Sequence, residues 1–347
     1  MALRHYKDFF TVPVSYRANM TREAINETPD TWVDFYPHTT FIELLNTLFD
    51  EAKPVWITGN FGTGKSNAAL VIQKLFMDDM PRVDKWFQDN HDVIMNGGAL
   101  HRKLVEAREA GTLVVYDYNA SGIGPNKEFL VRLEKGVLLA LDDYGFVAPA
   151  KANLETVIDR LYREGDNFFK TRDSVQSEMK SLKSEVCSTD KLASLLREES
   201  TAKTPTHYLE DVQAVLHKDN IYLSIDVPAF RAWIAAILQA NNLKRIVYIF
   251  DEFSEFIDAN SGQLKTFEDV TEAPDVNHFY LVPITLNEPA AFLSENAPGA
   301  KRARDRFYFR NLTMPNDIAF RLTAHAMKPI KDIEIEREWK NAKDQLW

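Results

Sequence analysis

An apolar run, VWIT at 55–58, leads directly into the glycine-rich loop GNFGTGKS at 59–66. The loop matches the Walker A pattern G-x-x-x-x-G-K-[ST] at every fixed position, and a helix-forming run from Asn67 to Phe76 follows it. A strand, a glycine loop and a helix in this order direct backbone N–H groups and a helix N-terminus at phosphate oxygens. The stretch therefore predicts a phosphate-binding loop in an α/β fold, and its intact flanks disfavour a chance glycine turn.

Each position of this loop has an expected role. The glycines let backbone N–H groups turn inward, Lys65 would reach the β- and γ-phosphates, and the Ser66 hydroxyl would bind Mg²⁺. The predicted nucleotide-binding residues are Gly59, Asn60, Phe61, Gly62, Thr63, Gly64, Lys65, Ser66 and the adjoining Asn67.

A second motif lies far along the chain, where the apolar run Ile246 to Phe250 ends in two acids, Asp251 and Glu252. Continuous apolarity favours a strand buried on both faces of a parallel sheet. In a Walker B strand, Asp251 would hold Mg²⁺ through water and Glu252 would orient the attacking water. The alternative is a strand that ends in a solvated acidic turn. With the first motif, the pair predicts an Mg²⁺-dependent ATPase with ATP and Mg²⁺ as cofactors, Ser66 and Asp251 at the metal, and Lys65, Asp251 and Glu252 as catalytic residues.

The composition excludes several classes of protein. The chain has 347 residues, 45% of them hydrophobic and 27% charged, as in an ordinary globular protein. No run approaches the ~18 apolar residues of a membrane span, and residues 1–8 lack a signal-peptide core. Cys187 is the only cysteine, which rules out an intrachain disulfide or a cysteine-based zinc site. A cytoplasmic protein without membrane contact is expected.

The pattern divides the chain into five segments. Residues 1–53 form a leader packed on the core, in which Thr39 and Thr40 are expected to cap a helix. Residues 54–149 form the first part of the ATPase core, with a strand over 113–118 and a helix over 127–141. The second part, 216–315, is expected to hold strands over 221–225, 246–250, 279–285 and 307–309 and a helix over 229–239. Residues 316–347 form a C-terminal helical segment that starts near 318. Pro283 weakens the prediction for 279–285, because proline removes a ladder donor.

The segment between the two core parts, residues 150–215, is charged and has helical spacing. Val175, Met179, Leu182 and Val186 repeat at heptad-like intervals. The segment is interpreted as a helical insertion, either a hairpin with a short coiled coil or helices packed on the main body. Thr204-Pro205-Thr206 is expected to break its second helix.

Two further sets of residues are candidates for the site. Thr285 or Asn287, at the end of the strand after the second motif, would sense the γ-phosphate, and an ordinary polar group at a strand end is the alternative. The net charge of −10 argues against a broadly basic surface, but arginines cluster near the end of the chain. An arginine finger from a neighbouring subunit, a channel for nucleic-acid phosphates and a solvated basic face are the alternatives for this cluster, and Arg304 is the candidate finger. The arginines are Arg302, Arg304, Arg306 and Arg310.

The two motifs, VWITGNFGTGKS at 55–66 and VYIFDEFSEFI at 247–257, resemble the N-terminal ATPase region of the BrxC/PglY proteins of bacterial phage-defence (BREX) systems. The long helical insertion between the motifs is also similar, and the resemblance covers roughly residues 32–325. It implies an AAA+-type ATPase in a multi-protein defence complex, as a homo-oligomer with other defence-system proteins and with double-stranded DNA as a candidate partner. The chain departs from the family at Asn67, where histidine is expected.

The sequence as a whole predicts a P-loop NTPase of the AAA+/ASCE type, a parallel sheet flanked by helices in which a strand separates the two motif strands. The leading function is ATP hydrolysis coupled to conformational change in an anti-phage or DNA-handling complex. A nucleotide-gated assembly switch with slow turnover is the first alternative. A small-molecule kinase is the second, and the Asp251-Glu252 pair argues against it.

Overall fold

The fold is α/β, with five parallel strands in one sheet between two layers of helices. The computed structural model describes residues 8–11, 25, 27, 29–49, 53–94, 97–118, 122–124, 127–149, 154–175, 181–201, 207–218, 227–260, 264–287, 305–313 and 327–346.

The strands are β1 (Phe10–Thr11), β2 (Val55–Thr58), β3 (Thr112–Asp117), β4 (Arg245–Phe250), β5 (Phe279–Thr285), β6 (Tyr308–Asn311) and β7 (Lys328–Pro329). The helices are α1 (Thr39–Leu48), α2 (Lys65–Met77), α3 (Met80–Asp89), α4 (Gly97–Glu109), α5 (Lys127–Asp143), α6 (Leu154–Glu164), α7 (Asp166–Val175), α8 (Thr189–Thr201), α9 (Tyr208–Lys218), α10 (Val227–Ala240), α11 (Phe253–Asn260), α12 (Lys265–Val270), α13 (Pro274–Asn277) and α14 (Ile333–Leu346). A 3-10 turn, Thr31–Asp34, precedes α1.

The strand order in the sheet is β3-β4-β5-β2-β6, and every neighbouring pair is parallel. β5 therefore lies between β2 and β4, as the sequence predicts for the two motif strands. The carboxyl ends of parallel strands meet at one edge of the sheet, which is where ligands bind in open α/β folds. The loop after β2 and the acids after β4 consequently lie at the same edge.

β5 spans the range predicted for it, Phe279–Thr285, with Pro283 inside. Pro283 is the last β5 residue in register with β4, opposite Phe250. Pairing with β2 begins one residue later, where Ile284 lies opposite Ile57. Pro283 thus lies where β5 stops pairing with β4 and begins pairing with β2. This position explains how a central strand accommodates a residue without an N–H donor.

The two faces of the sheet have separate cores. Along β3, Val114 and Tyr116 join a cluster with residues of α1 to α4, whereas Leu113 and Val115 join a cluster with residues of α5, α10, α11 and α12. All six residues of β3 and all six of β4 are buried. This is why the apolar runs are continuous rather than alternating.

Most predicted core elements are present with small shifts in their ends. The strand expected over 113–118 is β3, the helix expected over 127–141 is α5, the helix expected over 229–239 is α10, and the strand expected over 307–309 is β6. α2 begins at Lys65, two residues before the predicted start. The strand expected over 221–225, the helix break at 204–206 and the helix expected from 318 lie outside the described residues.

The cap predicted for α1 is wrong. Thr39 and Thr40 lie inside the helix, and His38 is the N-cap, whose side chain accepts a hydrogen bond from the N–H of Phe41. The Thr40 hydroxyl also lies 2.6 Å from Nδ1 of His38. A buried neutral imidazole thus replaces the threonine oxygen that statistics favour.

In the described residues of the insertion, four helices, α6 to α9, pack around a core of their own. The expected heptad stripe does not form one helix, because α7 ends at Val175 and residues 181–188 are not helical. Leu182 and Val186 instead enter the shared core from this loop. The single helix implied by this stripe is therefore not formed, and α6 to α9 are called the insertion module below.

Buried polar contacts hold the loop of the insertion module in place. The guanidinium of Arg172, which is buried, donates to the carbonyl oxygens of Lys183 and Val186. The carboxylate of Asp211 accepts from the N–H groups of Ser181 and Leu182, at 2.7 and 2.8 Å. These contacts satisfy loop groups that a helix would have satisfied internally.

Two features lie outside the main sheet. β1 pairs with β7 in an antiparallel ribbon, and Trp339 of α14 packs against the rings of Phe9 and Phe10. No helix in the described part of the chain is long and apolar enough to span a membrane.

Candidate functional site

The glycine loop has the backbone geometry of an anion cradle. Gly62 and Gly64 have φ of 75° and 83°, in the left-handed region that favours glycine. Gly64 is the residue before α2, whose first N–H groups have no acceptor within the helix. A Cβ on Gly59 would lie 2.8 Å from the hydroxyl oxygen of Thr63. Open donors at a helix N-terminus make the loop suitable for phosphate.

Lys65 bridges the loop from the first turn of α2. Its ammonium donates to the carbonyl oxygens of Gly59, at 2.7 Å, and Asn60, at 3.0 Å. Burial lowers the pKa of Lys65, and the nearby carboxylates of Asp251 and Glu252 offset part of this effect. The lysine therefore lies between the two motifs, with weak acceptors that a phosphate oxygen could replace.

Asp251 joins the two motifs. Its carboxylate is 3% exposed and accepts hydrogen bonds from the Tyr116 hydroxyl at 2.9 Å and from the Glu252 N–H at 2.9 Å. Burial raises the pKa of Asp251, while these hydrogen bonds and the charge of Lys65 act in the opposite direction. Ser66 also acts to lower the pKa of Asp251, so the two predicted Mg²⁺ ligands lie near each other.

Glu252 has a strained backbone and an exposed side chain. Its φ of 54° is in the left-handed region, at the junction between β4 and α11. Burial, followed by the charge of Asp251, raises the pKa of the Glu252 carboxyl. Strain of this kind costs about 1–3 kcal/mol and clusters at functional sites. The turn directs the side chain of Asp251 into the edge of the sheet and the side chain of Glu252 into solvent.

The donor set fits Mg²⁺. Asp251 offers a carboxylate and Ser66 a hydroxyl, which are hard oxygen ligands. Among the described residues, no group of three or more His, Cys, Asp or Glu side chains could hold a metal ion. Mg²⁺ commonly takes one or two protein oxygens and completes its octahedron with phosphate oxygens and water. Two oxygens beside a phosphate cradle match that requirement.

Thr285 lies at the predicted strand end, but its hydroxyl is already engaged. It is 1% exposed, accepts from the indole N–H of Trp56 at 2.8 Å and donates to the carbonyl oxygen of Asn287 at 2.6 Å. Asn287 is the exposed residue of the two alternatives. The N–H of the intervening Leu286 donates to the hydroxyl of Ser254, so the end of β5 is bonded to β2 through Trp56 and to α11 through Ser254.

Tyr116 is the residue of the site that sequence reasoning missed. Its hydroxyl lies 2.9 Å from Asp251 and 3.2 Å from the carbonyl oxygen of Ser66. Burial, followed by Asp251, raises the pKa of Tyr116 well above its ordinary value. The available signal was a polar-tipped ring near the end of an otherwise apolar strand, TLVVYD at 112–117.

The arginine cluster is only partly described. Arg302 and Arg304, the candidate finger, lie outside the described residues. Arg306 bonds to the carbonyl oxygen of Glu268, and Arg310 donates to the Thr47 hydroxyl at 2.8 Å. Arg306 and Arg310 are therefore held by contacts within this chain.

A small concave surface adjoins the start of α2. Trp32 is 1% exposed, and its indole N–H has no hydrogen-bond partner among the described residues. The surface is lined by Thr31, Trp32, Asp34, Phe35, Asn67, Leu70 and Val71. The lining combines apolar side chains with a few polar groups, and Asn67 is one of the polar groups.

The chain was compared with models of protein families, with curated proteins and with solved structures, and nothing matches it. A function for this chain accordingly depends on the geometry of its own site.

Proposed function

We propose that this chain is an Mg²⁺-dependent ATPase with a P-loop NTPase fold of the AAA+/ASCE type. The observation that carries the proposal is the meeting of the two motifs at Tyr116, whose hydroxyl lies 2.9 Å from the buried carboxylate of Asp251 and 3.2 Å from the carbonyl oxygen of Ser66 in the glycine loop. The strand order supports the class, because β5 separates the two motif strands. Chance occurrence of either motif would not bring these residues together.

Each residue then has a defined task. Lys65 exchanges the carbonyl oxygens of Gly59 and Asn60 for β- and γ-phosphate oxygens. Ser66 and Asp251 hold Mg²⁺, which when bound neutralises phosphate charge. Glu252, exposed beside Asp251, orients the attacking water and accepts its proton. Its raised pKa makes the carboxylate a stronger base than an ordinary glutamate.

The concave surface beside α2 is the proposed site of the nucleobase. Phosphates on the glycine loop would place the base near the first turns of α2, where Asn67 contributes to the lining. The side-chain amide of Asn67 offers both donors and an acceptor. Adenine presents complementary groups on its ring edges.

The biological setting is proposed from the resemblance of the two motifs to BREX-type ATPases. It comprises a homo-oligomer in a cytoplasmic anti-phage or DNA-handling complex, with double-stranded DNA as a candidate partner and Arg304 as the candidate finger. Nucleotide-gated assembly with slow turnover is the alternative, and the two differ in whether DNA accelerates hydrolysis.

The test is the steady-state release of phosphate from ATP, with and without double-stranded DNA, for the wild type and two variants. Lys65→Ala should abolish binding or hydrolysis, and Glu252→Gln should bind ATP but not hydrolyse it. Normal turnover by Lys65→Ala would refute the proposal. Turnover that DNA stimulates several-fold supports a motor, whereas slow turnover indifferent to DNA with tight binding of ATP supports the switch.

A further inference from the structure

The hydroxyl of Tyr116 lies where three elements of the site meet. It belongs to β3, yet it reaches the carboxylate of Asp251 after β4, at 2.9 Å, and the Ser66 carbonyl oxygen in α2, at 3.2 Å. A phenol has one proton to donate. The carboxylate takes it, because it is the nearer acceptor and a charged acceptor makes the stronger bond.

This bond fixes the orientation of the Asp251 carboxylate. Oδ1 accepts from the N–H of Glu252 at 2.9 Å, and Oδ2 accepts from Tyr116. With both oxygens held, rotation of the carboxyl group is blocked. Each oxygen keeps a further lone pair that can accept another hydrogen bond or bind a cation. An apolar residue at this strand position would fill the core equally well but would leave Oδ2 unheld.

We propose that Tyr116 is a positioning residue for Mg²⁺, which holds the Asp251 carboxylate in the orientation that binds the cation beside Ser66. The inference rests on the proposed function, because it assigns Mg²⁺ to the Asp251–Ser66 pair. Hydrogen-bond partners of metal ligands typically change metal affinity by about 10–100-fold. The loss of one phenol hydroxyl should therefore be visible in the Mg²⁺ dependence of nucleotide binding.

The chain offers a matched control in Tyr248. This residue is also fully buried in the sheet, and its hydroxyl donates to a carboxylate, that of Asp117, at 2.7 Å. Tyr116→Phe and Tyr248→Phe remove the same atom and the same kind of bond. They differ in that only the first bond involves Asp251.

The experiment measures binding of a fluorescent ATP analogue (mant-ATP) to the full chain over a series of MgCl₂ concentrations and in EDTA. Tyr116→Phe should raise the half-saturating Mg²⁺ concentration about 10-fold or more, with affinity in EDTA within about twofold of wild type. Tyr248→Phe should lower the unfolding midpoint and leave the Mg²⁺ dependence unchanged. Equal Mg²⁺ dependence in wild type and Tyr116→Phe would overturn the inference. No mant-ATP binding by wild type under any condition would instead refute the proposed function, and the inference with it.

A second comparison uses Asp251→Asn, which removes the charge that Tyr116 holds. In this background, adding Tyr116→Phe should not shift the residual Mg²⁺ dependence further. The double variant also leaves no unpaired charge in the core, so it remains foldable if Tyr116→Phe alone does not fold. An additional shift as large as that in the wild-type background would show that Tyr116 acts through something other than Asp251.

Discussion

Acidification should destabilise this protein through His38, the N-cap of α1. The ring is 4% exposed, and Nδ1 accepts from the N–H of Phe41 at 3.3 Å and from the hydroxyl of Thr40 at 2.6 Å. Burial lowers the pKa of His38 from 6.5 to about 4. Protonation would put a charge in the core and convert the capping acceptor into a donor.

The sign and size of the change in unfolding free energy follow from the linkage between proton binding and folding. Because the pKa is lower in the folded state, the unfolded chain binds the proton more readily. The contribution of His38 is thus present above pH 6.5, falls as the pH drops toward 4, and changes no further below that. Between pH 8 and pH 5, the loss in unfolding free energy is about 2 kcal/mol.

The assay is equilibrium urea unfolding at pH 8 and pH 5, followed by tryptophan fluorescence, for wild type and His38→Asn. Asparagine keeps an N-cap acceptor and does not titrate in this range. Whatever its own stability, the variant should lose about 2 kcal/mol less than wild type between the two pH values. All other titrating groups are common to both proteins. Equal losses would refute a buried neutral His38.

Three further outcomes are expected. Asn67→Ala should weaken ATP binding about 5–13-fold, by loss of about 1–1.5 kcal/mol of hydrogen bonding, without weakening the binding of inorganic triphosphate, and competition binding of the two ligands checks this. Gly136→Ala should destabilise the fold by about 2–4 kcal/mol, because its Cβ would lie 2.1 Å from the Tyr248 hydroxyl; urea unfolding should show partial recovery when Tyr248→Phe is added, and an additive cost would contradict the clash. Thr285→Val should cost about 1–3 kcal/mol by leaving the Trp56 N–H and Asn287 carbonyl unpaired, with ATP affinity unchanged; a tenfold loss of affinity at wild-type stability would restore Thr285 as a phosphate sensor.

The loop and the strands of the site were predictable because their signals are local. Five consecutive apolar residues before Asp251, or a complete glycine motif at 59–66, need no knowledge of distant partners. The side chain of Tyr116 is different, because its role depends on a hydrogen bond to Asp251, 135 positions away in the sequence. From the sequence alone, Tyr116 was one more aromatic residue in a buried strand.

The errors have the same origin. Threonine is a common N-cap, so Thr39 and Thr40 were favoured over His38, whose role depends on burial. The insertion module is helical, as its residue spacing predicts, but the loop at 181–188 interrupts the helix that the spacing predicts to be continuous. Arg172 and Asp211 stabilise a loop at 181–188 through contacts that no spacing rule records.

The position of β2 in the sheet has a consequence for synthesis of the chain. Both of its neighbours, β5 and β6, are translated after it, and the Trp56–Thr285 bond closes over 229 positions. At a translation rate of ~5–20 residues per second, about 10–45 s pass between synthesis of β2 and synthesis of β5. During this time both edges of the apolar strand β2 lack a hydrogen-bonding partner. The insertion module, with a core of its own, can fold during that interval. Ribosome-bound chains that end before Phe279 therefore contain the whole glycine loop but neither of the strands that pair with β2. We expect such chains to bind chaperones.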